Sequence, residues 1–185
     1  MRRFVLSAPL LSFVLSASVL ADLSVGQSYR LNLVDVDGNA LSTADGHITT
    51  VVLTTQADID KARVAGDRTP DFCLGNPMYR MVTALVFEKK HSKPTSMILT
   101  SLIRHRLDSE GHRLQNRYNK LHISRNARSD VSAVADFDGE IARQLGSEPG
   151  AGLFHIFVFG KNGELIKQWN DVPTAEDLSA ALKQN

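Results

Sequence analysis

Segments rich in β-branched residues alternate along this chain with segments of helical periodicity, and that alternation constrains the fold more than any single motif. Ile48 to Thr55 reads as a buried strand, because branched side chains fit a packed, pleated surface. Met81 to Phe87, Val131 to Ala135 and Phe154 to Phe159 are further apolar runs of strand length. Between them fall a short predicted helix at 57–65, stopped at Gly66, and a long one opened by Pro94. The long helix carries Leu99, Leu102, Ile103, Leu107, Leu114, Tyr118 and Leu121 at spacings of three, four and seven, with Gly111 as a point of bending. Asp138 to Leu145 forms a third helix, ended by Gly146. Residues 29–34 alternate as a half-buried strand, Asp37-Gly38 turns the chain and Ala40-Leu41 resumes it. Asn162-Gly163 joins Phe154 to Phe159 to a partner at Glu164 to Trp169, and Thr174 caps a last helix with Asp177 three residues on. The loop from Gly66 to Pro77 holds two glycines and two prolines. A hairpin, then strands alternating with helices, then a closing hairpin and helix, imply an α/β domain with a mostly parallel sheet and an antiparallel edge.

The chain opens with Arg2 and Arg3, an apolar run from Phe4 to Leu20, and Val19-Leu20-Ala21 before Asp22. A charged start, an apolar middle and small residues at −3 and −1 predict a secretory signal peptide over 1–21, leaving 22–185 as one domain. The other reading is an uncleaved anchor, but the run is broken by serines and barely long enough to span a bilayer. No cysteine follows the run, so a lipoprotein anchor is not expected, and neither is a transmembrane span after cleavage. Removing the segment, which holds two Arg and no acid, turns the formal charge from +1 to −1. The expected location is the periplasm or the cell exterior. Cys73 is the chain's one cysteine, so no internal disulfide forms even under oxidising conditions and stability must come from the core.

In order along the chain stand Gly26, Leu31 to Val34, Asp35-Val36-Asp37-Gly38, Gly46 and Ile48 to Leu53. Val131 to Asp136, Asp138-Gly139, Ile141 to Gly146, Phe154 to Phe159, Lys161-Asn162-Gly163 and Leu165 to Trp169 follow later. In this order the chain resembles the redoxin branch of the thioredoxin-like superfamily, which includes secreted thiol–disulfide oxidoreductases and peroxiredoxins. The resemblance implies a thioredoxin-like three-layer sandwich, with a mixed central sheet and an N-terminal β-hairpin extension. It also implies a Cys-x-x-Cys pair after the core strand and a cis-proline before the penultimate strand. Neither pattern is present. With Ile48 to Leu53 as the core strand, the favoured register, the thiol positions fall near Asp58 and Lys61. With Met81 to Phe87 they fall on Ser92 and Thr95. The proline position falls on Phe154 or His155.

A dithiol cycle needs a second thiol to resolve the first, and this chain has one. Cys73 is therefore a candidate only for single-thiol chemistry, as a peroxidase or oxidoreductase recycled by an external thiol; Arg68 and Arg80 are its cationic neighbours in sequence. The simpler reading is a buried cysteine between Phe72 and Leu74 acting as a small apolar residue. Thr55, Gln56 and Asp58 are binding candidates at the turn after the core strand, where open α/β sheets take ligands; helix capping by Thr55 or Asp58 is the more ordinary role. The two Asp-x-Asp-Gly runs resemble the start of haloacid-dehalogenase phosphatases but read better as Asp-Gly turns. Six histidines show no ligand pair at close spacing, so no metal and no cofactor is expected.

Residues 88–128 hold ten Lys and Arg against Glu88, Asp108 and Glu110, a formal balance of +7. This predicts either a solvated helix face or a surface for an anionic partner, a membrane headgroup, polyanion or acidic protein, centred on Arg104, Arg106 and Arg113. Few aromatics interleave the charges, so no nucleic acid is expected. Together these features read as an exported thioredoxin-like protein without dithiol chemistry, serving as a binding or assembly module. The rival is a Cys73 enzyme with an antioxidant role, and a third reading is an inactive subunit that dimerises with an active relative.

Overall fold

The computed structural model describes residues 23–150 and 152–184; the predicted signal peptide lies outside them. The β-rich runs form two sheets. Strands β1 (Asn32–Val34) and β2 (Ala40–Ser42) pair antiparallel as the predicted hairpin. The main sheet has five strands in the order β5-β4-β3-β6-β7, comprising β3 (Ile48–Thr55), β4 (Tyr79–Val86), β5 (Ser132–Asp136), β6 (Phe154–Phe159) and β7 (Leu165–Trp169). β3 pairs parallel with β4, β4 parallel with β5, and the closing hairpin β6-β7 runs antiparallel on the other side of β3. β3 is thus the central strand, and every one of its eight residues is buried, as its Val- and Thr-rich composition predicts.

Side-chain alternation along the strands builds two layers of core. Val51, Leu53, Val82, Ala84, Val86 and Val134 face the hairpin residues Leu31 and Leu33, together with Ala142 and Leu145 around α3 (Glu140–Gln144). On the opposite face Val52 and Ile156 meet Ala62 and Ala65 of α1 (Ile59–Asp67). Ile48 and Val158 meet Leu178, Ala181 and Leu182 of α4 (Ala175–Lys183). Each fully buried Val, Leu or Ile contributes about 1.5–3 kcal/mol to folding, and no disulfide supplements them. Thr174 caps α4 as predicted, accepting from the Asp177 N–H while its hydroxyl donates to the Asp177 carboxylate.

The long helix α2 (Lys93–Lys120) runs unbroken through Gly111. Gly111 is a packing contact: a Cβ there would lie 3.0 Å from the Arg128 Cα, in the short helix at Ala127–Asp130. α1 likewise continues through Gly66 to Asp67 rather than stopping there. The hairpin turn is closed by Gly163, whose positive φ of 80° and close approach to the Tyr29 carbonyl exclude a side chain. No described helix is long and apolar enough to cross a membrane.

Candidate functional site

The central strand ends at Thr55, and four residues later α1 begins, so the β3–α1 turn lies at the carboxyl end of the sheet. Thr55 is buried and its hydroxyl has no hydrogen-bond partner among the described residues. Gln56 is exposed. Asp58 occupies the N-cap position of α1 but makes no side-chain cap, which corrects the capping expectation. Its carboxylate turns instead to Lys61, whose Nζ stands 3.3 Å from Asp58 Oδ1 and 3.8 Å from Asp171 Oδ1. The same ammonium sits 5.4 Å from the centre of the Phe154 ring. Phe154 begins β6 and is paired in register with Thr54 of the central strand. Asp58 and Lys61 thus form an ion pair beside the Phe154 ring, an arrangement that can hold charge and shape.

Cys73 lies away from this turn, at the end of a short helix spanning Asp71–Cys73. It is buried with Ile48, Val158, Leu178 and Leu182. Burial pushes its thiol pKa up to about 12, so almost none of it is thiolate near neutral pH. Arg80, its cationic neighbour in sequence, is committed elsewhere: it donates to both Asp45 carboxylate oxygens, the Ser42 carbonyl and the Thr49 hydroxyl. Arg68 donates to the carbonyls of Val172 and Pro173. Neither guanidinium is left to stabilise a thiolate.

Five of the ten basic residues of the segment form ion pairs among the described residues. Arg104 pairs with Asp37 and donates to the Val36 carbonyl. Arg113 bridges Asp67 and Glu110, Arg117 meets Asp71, Arg125 meets Asp130, and Arg128 joins Asp37 to Asp108. Of the three arginines singled out from sequence, Arg106 alone has no ion-pair partner among the described residues. The acids that balance the segment come from α1 and from loops distant in sequence, which a local charge count does not see.

The Asp-Gly runs are turns. Asp35 accepts from the backbone N–H of Asp37 and Asn39. Burial raises the Asp136 carboxyl, and the N–H groups of Ala142 and Ile141 partly offset this.

The sequence reading missed a bridge between α1 and α2. Arg63 and Asp67 of α1 face Glu110, Arg113 and Arg117 of α2. Their spacing of four in α1, and of three and four in α2, was the available signal, since such residues share one helix face. Beneath this bridge lies a cavity of about 680 Å³, floored by Met81, Thr83 and Leu85 and walled by Ile59, Ile103 and Leu107.

No protein-family model and no curated protein matches the chain. Solved structures do. An exposed lipoprotein thioredoxin from Streptococcus pneumoniae superposes with a TM-score of 0.51 at 13% identity, over 85% of this chain and 100% of that one. The thioredoxin domain of a thiol-disulfide oxidoreductase from Bacteroides vulgatus gives 0.50 at 11% identity, over 88% and 98%. By its own strand order and these superpositions, this chain has the thioredoxin-like fold.

Proposed function

We propose that this protein is an exported thioredoxin-like module that acts by binding and has lost dithiol exchange. The observation that supports the reading is the ion pair of Asp58 and Lys61 beside Phe154 at the head of α1, where the favoured sequence register puts the thiol positions near Asp58 and Lys61 and the proline position on Phe154 or His155. Cys73 supports it, being buried, unassisted by a cation and alone. Export rests on the predicted signal peptide and is supported by the exposed lipoprotein among the structures of the same fold. Loss of the thiol pair frees the carboxyl edge of the sheet, with the adjoining space between α1 and α2, for recognition rather than turnover. The arginines of α2 mostly brace the fold, so a partner of the basic face would meet Arg106 and the lysines around the start of α2 rather than Arg104 or Arg113.

The test is turnover. The purified protein should neither reduce insulin disulfides with dithiothreitol nor consume hydrogen peroxide with an external thiol above the rate of its Cys73→Ser variant. Peroxide consumption that disappears in Cys73→Ser would replace this reading with the single-cysteine enzyme.

A further inference from the structure

The cavity beneath α2 has an unusual floor. β4 is hydrogen-bonded on both sides, to β3 and β5, and its two faces are covered unequally. Val82, Ala84 and Val86 are buried against the hairpin layer, while Met81, Thr83 and Leu85 on the other face are only partly covered. The cause is the way α1 and α2 meet. Long charged side chains bridge them at the rim, Arg63 to Glu110 and Arg113 to Glu110 and Asp67. Ile103 and Leu107 of α2 pack with Leu85 and Ala133, and together with Ile59 of α1 they line the space left between the two helices. Its volume of about 680 Å³ falls within the roughly 300–1,000 Å³ typical of small-molecule sites.

Polarity is unevenly spread around that space. The floor and walls are mainly aliphatic, and the acids and arginines of the rim neutralise one another. Arg106 is the exception: it lines the cavity, is exposed and has no acidic partner among the described residues. Beside it Leu102, also lining the cavity, is 55% exposed, and Met97 and Ile98 extend the apolar strip toward the start of α2. An aliphatic space with a single unpaired cation at its mouth complements a molecule with an apolar chain and one anionic end.

We propose that this cavity binds a long-chain carboxylate, with the chain lying over β4 between α1 and α2 and the carboxylate at Arg106. This names a ligand class for the binding role above and rests on that reading. The chain can come from a free acid or be drawn from a membrane, and the chemistry of the site is the same for both.

The experiment is a fluorescence titration of the purified protein with cis-parinaric acid, followed by displacement with palmitate and with hexadecanol. We expect saturable one-to-one binding, with palmitate displacing at least tenfold better than hexadecanol. Arg106→Gln should weaken palmitate about tenfold and leave hexadecanol unchanged. Thr83→Phe, which fills the floor, should remove both. In the unaltered protein, where folding is not in question, the Met81 methyl NMR signal should shift with palmitate while that of exposed Met78 stays fixed. Phosphatidylglycerol vesicles loaded with parinaric acid should transfer the probe if the membrane is a source; no transfer alongside binding of the free acid would assign the free acid. Absence of saturable binding, or binding that leaves the Met81 signal unmoved, would overturn the site. Equal affinity for acid and alcohol would overturn the role of Arg106. The turnover assays separate the two levels: no turnover with no probe binding removes this ligand class alone, whereas Cys73-dependent turnover removes the underlying reading.

Discussion

Asp58 and Lys61 stand three residues apart at the head of the helix that follows the central strand, close enough for their side chains to pair at 3.3 Å. If that is the position of the thiol pair in the fold, the double substitution Asp58→Cys and Lys61→Cys should form a disulfide and raise insulin reduction above that of the unaltered protein. Thiol counting by mass before and after reduction checks the bond, and failure to form it would place the thiol register elsewhere. The native ion pair is exposed, so its loss should cost no more than about 1 kcal/mol. Arg80 is a different case. Its side chain is largely buried, and it serves Asp45, Ser42 and Thr49 at once, tying the end of the first hairpin to β3. Burial alone would raise the Asp45 carboxyl, but hydrogen bonds from Arg80 and His47 outweigh it and hold the group well below the usual carboxylate range. A depressed acid contributes stability that is complete above its unfolded pKa, about 3.9, and is lost as pH falls through the folded value. Arg80→Ala should therefore cost about 2–4 kcal/mol at pH 7, because it leaves Asp45 without its main partner. The gap to the native protein should narrow as urea melts are taken below pH 4; a constant gap across that range would contradict the assignment.

At the scale of elements, α1 and α2 are joined chiefly by charge. Exposed ion pairs are weak and screened by salt, so this contact should be the first to loosen. We expect Arg113→Ala to lower global stability by less than about 1 kcal/mol. The same substitution, or 1 M salt in the native protein, should speed amide exchange in α1 while leaving β3 unchanged. Uniform exchange across both elements would show that the bridge is not a separate joint. Elements were the most legible level of the sequence. The branched run Ile48 to Thr55 and the apolar run Phe154 to Phe159 announce strands whose bounds the structure reproduces. The Thr174 cap fixes the start of α4 in the same way. A glycine within a helix is ambiguous in sequence because it reports either a break or a close contact. At Gly111 it reports the backbone of Arg128, a residue seventeen positions away. A local charge balance is ambiguous in the same way: Arg113 and Arg117 find acids in Asp67 and Asp71, outside the segment over which the balance was taken. The cavity left no sequence mark at all, since it depends on the distance at which two helices are held.

For the whole molecule, one sheet carries two unlike faces. The hairpin side is closed by apolar packing, with Leu31, Leu33, Leu145 and Phe159 buried together. The helical side is closed by α1 and α4 and by Ile103 and Leu107 of α2, which pack with Leu85 and Ala133, while charge bridges join α1 to α2 at the rim. The head of α1 carries an ion pair, and the one cysteine is built into the core beneath α4. The claim that this scaffold binds and does not exchange thiols therefore turns on Cys73. The measurement is the rate at which native Cys73 is alkylated by iodoacetamide from pH 6 to pH 10, followed by intact mass. With its thiol pushed up to about 12 by burial, we expect negligible labelling near neutral pH, no inflection anywhere in that range, and rapid labelling once urea unfolds the protein. A fast native reaction with an inflection near neutral pH would show a stabilised, accessible thiolate and would contradict the claim.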